Sequence, residues 1–545
     1  MSRLLKRLFW GFVKMEVNTP MNSGAYDDLF RDIFNYPDYL MGNFQAEEPA
    51  IVEFLNGYTA ACILSKHIQS QSKIAIHTDV DMDGIGSCYV FKNWMKQVAP
   101  LCDVDCYINT LKVHGVEDIQ INHFNTYSSN NKNYDLVIIL DSATNNVNYI
   151  KKLNCDCIVI DHHEISIDMN EMAGQTAGGN YVIVNSMASN GNVYIGNDFM
   201  SAGLTVYEFL RYYQYGMGMK NYLADLKLYQ WAVITLFTDC INNDNLRNIY
   251  YIQKARADIQ KEPGLAQMLE SVDCFSMTLN KSDIGFTLGP LFNRAIRAGY
   301  SGVALQLALT QPKKVKDLLY FKEVQDAQVK DFEIGAIIHE NPSKYVTKDI
   351  TNTGTSPNYA GLVAMKLLDK YSATSIVYRD IGDGLVGGSF RGATDVVDYR
   401  KIIVDMGYYA QGHKSAFGFK FPKDKIDEIM STLVSYEKNG LVKDYLTAGY
   451  INPRGTHHID DIIDFQRNGG FWKLGTINSM MATNINIVIS SSELDYVSVN
   501  AKHTFFTYSF NGIELRAFEE IVTSQAYIYV EFQDNLRIYV KNKWM

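Results

Sequence analysis

Three short apolar runs constrain most strongly what this chain can fold into. Lys73–Thr78 (KIAIHT), Leu136–Leu140 (LVIIL) and residues 157–160 (CIVI) are rich in Ile and Val and barely alternate. That is the pattern of strands buried on both faces of a parallel sheet. Helix-like stretches lie between or beside them, such as residues 87–98 (SCYVFKNWMKQV). Strands alternating with helices predict an α/β domain with a mostly parallel sheet. Each run also leads into residues that carry chemistry. The first enters His77-Thr78-Asp79-Val80-Asp81-Met82-Asp83-Gly84, the second ends at Asp141 in LDSAT, and the third ends in Asp161-His162-His163. In open α/β sheets, ligands bind at the carboxyl ends of the strands.

Several carboxylates crowd together only around a compensating cation. Mixed oxygen and imidazole ligands suit Mn²⁺ or Mg²⁺, and the lack of thiolate argues against structural zinc. So many acidic ligands suggest two ions, which clamp a phosphoryl group and generate hydroxide at neutral pH. Each motif alone has a plainer reading. DxDxDG also serves in calcium loops and polar turns, and Asp141 alone fits a helix N-cap. Their order and their shared place at strand ends favour the metal reading. An EF-hand is disfavoured, because a strand precedes the loop and its twelfth position lacks Glu.

A chain of 545 residues accommodates three or four domains at about 100–200 residues each. Residues 199–229 read as helical, and residues 231–237 (WAVITLF) read as a further apolar strand before Asp239 in LFTDCIN. Residues 313–340 lack proline and place Val315, Leu318 and Leu319 on one face, between Pro312 and Pro342. The pattern predicts one long helix joining two domains. Residues 351–359 (TNTGTSPNY) read as a boundary loop. A helix at Ala360–Tyr371, a strand at 373–378 and a glycine-rich stretch at 382–392 form a second, smaller α/β unit. Residues 484–490, 504–509 and 526–532 favour strands. The expected organisation is an N-terminal extension (1–40), a catalytic domain (41–312), a connecting helix (313–345), a second α/β domain (346–428) and a β-rich C-terminal domain (429–545).

Hydrophobic residues make up 47% of the chain and charged residues 20%, which excludes a largely disordered protein. The net charge of −10 argues against coating nucleic acid by bulk charge, but leaves room for a local basic groove. The eight cysteines all precede residue 275 and form no CxxC. Disulfide frameworks are therefore not expected, and a reducing, cytoplasmic setting fits. No apolar run reaches the roughly 18 residues of a membrane span. Residues 1–15 are basic and amphipathic without a cleavage site, so they read as a frayed helix or as a start upstream of Met15 rather than a signal peptide.

The ordered motifs resemble the DHH phosphoesterases, most closely their RecJ-type single-strand exonuclease branch. His77-x-Asp79-x-Asp81-x-Asp83-Gly84 resembles the first motif, Asp141 the second, Asp161-His162-His163 the third and Asp239 the fourth. Residues 283–297 (DIGFTLGPLFNRAIR), 361–371 (GLVAMKLLDKY), 387–391 (GGSFR) and 411–418 (QGHKSAFG) continue the likeness, the last two resembling the GSxR and GGHxxAxG elements of a DHH-associated domain. The resemblance spans roughly residues 40–425 and implies a set of roles. His77, Asp81 and Asp141 would hold one divalent ion. Asp83, Asp141, His162 and Asp239 would hold the other, with Asp141 bridging and water attacking phosphorus in line. His163 would be no ligand, but would face the scissile phosphate as an electrostatic stabiliser or proton donor. Asp161 would orient an imidazole. Asp79 stands where small-substrate members often carry Asn and RecJ-type members carry Asp.

Guanidinium forks match phosphate oxygens, which makes Arg297 and Arg391, with Asn293 and Ser389 beside them, the candidate substrate binders. Gly412 and His413 would add backbone and imidazole donors in the cleft between the domains. Gln411 replaces the first glycine of the family's pair. The β-rich C-terminal region takes the place of an OB-type domain, where Tyr508, Phe510, Phe532 and Tyr539 are either stacking platforms or barrel core.

The expectation is a two-metal exonuclease that acts on single-stranded DNA in recombination, repair or replication. The resemblance implies a 5′→3′ direction and release of mononucleotides. The tyrosine-rich, proline-poor composition (36 Tyr, 11 Pro) suits an AT-rich genome such as a phage. A nanoRNase or cyclic-dinucleotide phosphodiesterase, acting on short oligonucleotides or RNA, is the alternative in chemistry, and Phe390 in GGSFR leans that way. A non-catalytic single-strand-binding scaffold is the alternative of another class. Loss of ligands would be its signature, and every ligand is present.

Overall fold

A computed structural model describes residues 46–444, apart from short internal stretches, and six strands between residues 486 and 544. The N-terminal extension (1–40) lies outside the described residues. In the first domain, strands β1 (Lys73–Thr78), β2 (Asp103–Ile108), β3 (Leu136–Leu140), β4 (Asp156–Asp161), β5 (Ala173–Gln175) and β6 (Asn180–Asn185) form a sheet of order β2-β1-β3-β4-β6-β5. All pairs are parallel except β5–β6. Ile74, Ile76, Ile138, Ile158 and Ile160 enter one core, while Ala75, Val137, Ile139, Cys157 and Val159 enter the other. Both faces are buried, which is why these runs are continuously apolar.

Helix α1 (Met82–Val98) carries the chain from β1 to β2 on one side, and the chain then returns to place β3 on the other side of β1. The carboxyl ends of β1 and β3 therefore flank the point where strand order reverses, the place where such sheets bind ligands. Helix α2 (Ala202–Gly216) and helix α3 (Tyr229–Thr238) pack on α1. The run expected to be a strand before Asp239 is thus helical. Every residue from Tyr229 to Phe237 is buried, and a helix buried all round has no periodicity to separate it from a buried strand.

The long connecting helix predicted over 313–340 is also corrected. Pro312–Tyr320 forms a 3₁₀ helix, Phe321–Val329 an α-helix and Ala336–His339 a strand. In the 3₁₀ turns Val315 and Leu318 share the buried face, three residues apart, while Leu319 points outward and is 51% exposed.

The second domain is a mixed sheet of β7 (Ala336–His339), β8 (Tyr345–Asp349), β9 (Thr374–Gly382), β10 (Leu385–Arg391), β11 (Tyr409–His413) and β12 (Ala416–Pro422), in the order β11-β12-β10-β9-β8-β7. The predicted glycine-rich stretch becomes the hairpin of β9 and β10. Helix Ala360–Tyr371 packs on one face, and Tyr399–Asp405 and Ile426–Asp444 pack on the other. Beyond residue 485 six strands form one sheet that is mostly antiparallel, with Asn486–Ser490, Phe506–Phe510 and Tyr527–Phe532 close to the predicted segments. Tyr508 is 4% exposed with its ring edge-on to Tyr496, the core arrangement rather than an open platform. The side chains of Phe510, Phe532 and Tyr539 lie outside the described residues.

Candidate metal and phosphate site

Thr78 Oγ1 donates to the Gly84 carbonyl at 2.5 Å. A Cβ on Gly84 would stand 2.4 Å from the Asp79 carbonyl, so only glycine lets β1 turn into α1 here. Asp81 caps α1, accepting the Gly84 N–H at 3.0 Å. Asp83 is held by the start of α2, whose Ala202 and Gly203 N–H groups donate to its two oxygens at 2.8 and 2.9 Å. At the end of β3, Asp141 has φ +62° and Ala143 φ +75°, left-handed conformations in non-glycine residues. Each costs on the order of 1 kcal/mol and is held by the surrounding structure.

Nε2 of His162 lies 3.4 Å from Asp141 Oδ1, 3.6 Å from Asp239 Oδ2 and 3.7 Å from Asp83 Oδ2. Asp239 enters from the end of α3, where its backbone caps the helix. Among the described residues, ligand atoms converge within 4.8 Å in three sets: Asp83, His162 and Asp239; Asp141, His162 and His163; and Asp79, Asp81 and Asp141. The structure thus gathers Asp81, Asp83, Asp141, His162 and Asp239 as the sequence predicted. It also adds Asp79, to which the resemblance assigns no ligand role. Its DxDxD spacing was the available signal. His77 is outside these sets. Its ring is buried edge-on to Phe124, and both its nitrogens lack a hydrogen-bond partner among the described residues. Burial pushes its imidazole down to about 4, which leaves the neutral, ligand-competent form.

The carboxylates burden one another. Burial, then Asp83, Asp81, Asp79 and Asp239, raise Asp141 well above the ordinary carboxylate range. Burial, opposed by His162 and reinforced by Asp239 and Asp81, raises Asp83 to about 8. Burial and Asp81 raise Asp239 to about 7. Among the described residues, Oδ2 of Asp141 and Oδ2 of Asp239 are buried without a hydrogen-bond partner. Acids raised by burial and mutual repulsion, with oxygens left over, are what a divalent cation relieves, so this donor set fits one.

Behind the cluster, Asp161 Oδ1 accepts His163 Nδ1 at 2.8 Å, the His162 N–H at 2.8 Å and the His163 N–H at 3.3 Å. Its other oxygen accepts the Thr144 N–H at 3.1 Å. Burial alone would raise this carboxyl, but His163 beside it holds it below the usual range. Burial works against a charged His163 ring. Asp161, then Asp79 and Asp239, outweigh it and raise the imidazole to about 10. Asn185 donates to Thr144 Oγ1 and to the His163 carbonyl, both at 2.9 Å. Thr144 and Asn185 escaped the sequence reading. Their signal was position alone, just past β3 and at the end of β6.

The second domain closes over this edge. His413 Nε2 is 3.9 Å from Asp239 Oδ1. Burial and the charges of His163 and His162 push its imidazole down to about 4. Arg400 pairs with Glu164, directly after the histidine pair. Asn358 donates to the Arg297 carbonyl at 3.2 Å. Arg391 is lowered to about 10 by burial and then by the charge of Arg297, so the two guanidiniums are near neighbours. Burial also lowers Arg297, with Arg294 adding to it. Arg297 reaches Gln325 at 3.4 Å and Arg391 the Phe390 carbonyl at 2.6 Å, and among the described residues neither has an acidic partner.

Ser389 and Arg391 converge on the first turn of helix Ala360–Tyr371, where a Cβ on Gly361 would stand 2.8 Å from Arg391 Nη2 and 3.5 Å from Ser389 Oγ. That helix end adds partial positive charge. Asn293 lies one turn before Arg297 on helix Gly289–Arg297, away from the buried Leu291, Phe292, Ala295 and Ile296. Gly412 has φ +135°, and a Cβ there would meet the Ala416 carbonyl at 2.8 Å. Phe390 is 1% exposed and stacked on Phe417, so it belongs to the core and says nothing about substrate length.

Residues 73–229 match the N-terminal domain of the DHH family. The chain is 24% identical over 407 residues to the SPbeta-prophage protein YorK of Bacillus subtilis (strain 168), whose name assigns it single-strand-DNA-specific exonuclease activity. That match covers 67% of this chain and 66% of YorK. It is 22% identical over 404 residues to the single-stranded-DNA-specific exonuclease RecJ of the same bacterium, covering 71% of this chain and 48% of that protein. The chain thus spans just under two thirds of YorK and about half of RecJ. The crystal structure of RecJ from Thermus thermophilus in complex with Mn²⁺ superposes with a TM-score of 0.65 at 14% identity, covering 97% of this chain and 78% of that one. Sequence, fold and strand-end motifs point the same way: residues 73–229 match the N-terminal domain model of the DHH family, and the fold of the chain is similar to that of RecJ.

Proposed function

We propose that this chain is a metal-dependent hydrolase that removes mononucleotides from single-stranded DNA in the 5′→3′ direction, in recombination, repair or replication. One observation carries the reading. Carboxylates raised by burial and then by their own crowding gather around His162, and Arg391, whose charge acts on His413 beside them, and its neighbour Arg297 have no acidic partner among the described residues. The first group fits divalent cations and the second fits phosphate. The names of YorK and RecJ support the choice of single-stranded DNA.

Asp79, Asp81 and Asp141 would hold one ion, with His77 closing that side. Asp83, Asp141, His162 and Asp239 would hold a second. Two Mn²⁺ or Mg²⁺ ions bound there would neutralise the carboxylates, polarise a phosphoryl oxygen and lower the pKa of water. Asp161 fixes Nδ1 of His163, which leaves Nε2–H as the donor toward a phosphate oxygen. Arg297, Arg391 and Ser389 bind the neighbouring phosphate, with Asn293 beside them. Gly412 and His413 bring backbone and ring donors from the opposite wall. A cleft closed by a second domain admits a single strand more readily than a duplex, and a nuclease of this kind works in the cytoplasm of a bacterial or phage-infected cell.

The test is end-labelled single-stranded DNA with Mn²⁺, run beside Asp141→Ala and His163→Ala. The 5′ label released first as a mononucleotide, with both variants silent, is the expected result. Turnover of dinucleotides alone would move the protein to the nanoRNase branch. Binding without turnover of either would favour a scaffold.

A further inference from the structure

Strand β11 borders the cleft, and its alternation sorts its residues. Ala410 packs into the core of the second domain, and a Cβ on Gly412 would stand 3.0 Å from the Phe417 side chain. Tyr409, Gln411 and His413 therefore share the opposite face, the one turned to the first domain. The row has two ends. His413 reaches the carboxylate cluster at Asp239. Tyr409 stands at the other end, where burial and then the Glu117 carboxylate of the first domain raise its phenol. Four residues of strand separate the ends by about 13 Å.

Tyr409 is 57% exposed, a large aromatic surface inside a cleft. It is not loose, because its hydroxyl donates to Gln411 Oε1. Glu117 disfavours phosphate at this end of the row, so a strand running outward from His413 must turn a base rather than its backbone toward Tyr409. An aromatic face accepts any base, and such stacking is sequence-tolerant.

We propose that Tyr409, braced by Gln411, is a stacking platform for one nucleobase of the bound single strand, set off from the scissile position by the length of β11. This rests on the single-strand nuclease reading. The experiment places 2-aminopurine at each of the first six positions of an oligodeoxynucleotide and measures fluorescence and affinity in EDTA, with metal-dependent cleavage followed in parallel. The wild-type protein should quench one position most. Tyr409→Ala should abolish that maximum and weaken binding about tenfold. Tyr409→Phe should keep the maximum, and Gln411→Ala should blunt it. If wild-type protein cleaves single strands and Tyr409→Ala shows the same quenching profile and affinity, the platform is wrong and the nuclease reading stands. If wild-type protein neither binds nor cleaves single strands, both fall together. Unchanged melting of the exposed Tyr409 variants separates these outcomes from misfolding.

Discussion

Oδ1 of Asp161 takes the Nδ1 proton of His163 at 2.8 Å while also accepting the backbone N–H groups of His162 and His163. One oxygen therefore sets both the backbone turn and the ring orientation of the histidine pair. Asp161→Ala should lower turnover by about 10–100-fold, and His163→Ala by about 10²–10⁴-fold. If the two act as one unit, the double variant should lose little more than His163→Ala alone. Single-turnover assays at saturating Mn²⁺ read this directly, and additive losses would mean that Asp161 has a separate task.

Asp141 combines left-handed backbone with a carboxyl raised by its neighbours. A raised carboxyl lowers folded-state stability at pH values above its unfolded pKa of about 3.9. Asparagine removes that charge and tolerates left-handed backbone better than most residues. Asp141→Asn should therefore melt higher than wild type in EDTA at pH 7, and the gain should shrink toward pH 4. With Mn²⁺ the order should invert, because only wild type gains from binding. Melting curves in EDTA and Mn²⁺ check both signs, and a variant still stabilised by Mn²⁺ as much as wild type would remove Asp141 from the ligand set.

At the opposite edge of the sheet, Asp156 accepts Lys66 at 2.8 Å, His67 at 2.9 Å and the Asn180 N–H at 2.7 Å. Burial alone would raise its carboxyl, and Lys66, Asn180 and His67 outweigh it and hold it low. A depressed carboxyl stabilises fully above its unfolded pKa of about 3.9 and loses that contribution as pH falls through the folded value. Asp156→Asn should cost about 1–3 kcal/mol at pH 7, and the gap to wild type should narrow below about pH 4. Urea melts at pH 7, 5 and 3.5 test this, and a gap independent of pH would assign the loss to packing.

Arg297 and Arg391 repel each other in the free protein. Replacing either with Ala should leave melting nearly unchanged and weaken single-strand binding. It should also lower the slope of log K against log salt by about 0.7 per lost phosphate contact. Fluorescence anisotropy between 50 and 200 mM salt measures it. An unchanged slope would place these arginines away from the backbone.

Arg400 and Glu164 join the two domains beside His163, with the Glu164 side chain 63% exposed. An exposed pair adds less than about 1 kcal/mol, so Glu164→Ala should melt like wild type. Its effect should be on KM, which should rise a few-fold and more at high salt, while kcat changes little. A fall in kcat alone would tie Glu164 to the chemistry instead.

Most of the site could be read because parallel strands advertise themselves. Ile and Val runs buried on both faces ended at Asp79–Asp83, Asp141 and Asp161–His163, and the sheet brought those ends together. Asp239 stands in its motif whatever its element, and the helix before it is hidden from the sequence because Trp231–Phe237 is buried on every side and shows no helical period. The 3₁₀ turns at Pro312–Tyr320 were missed because Val315, Leu318 and Leu319 also suit an α-helical face. Thr144 and Asn185 act through tertiary hydrogen bonds that no spacing announces.

The assembled edge draws on residues from Asp79 to His413, with Asp239 supplied by the end of a helix and His413 by the second domain. A chain still emerging from the ribosome holds the early carboxylates long before it holds their partners. The nascent polypeptide therefore has no complete edge until its second domain has been made.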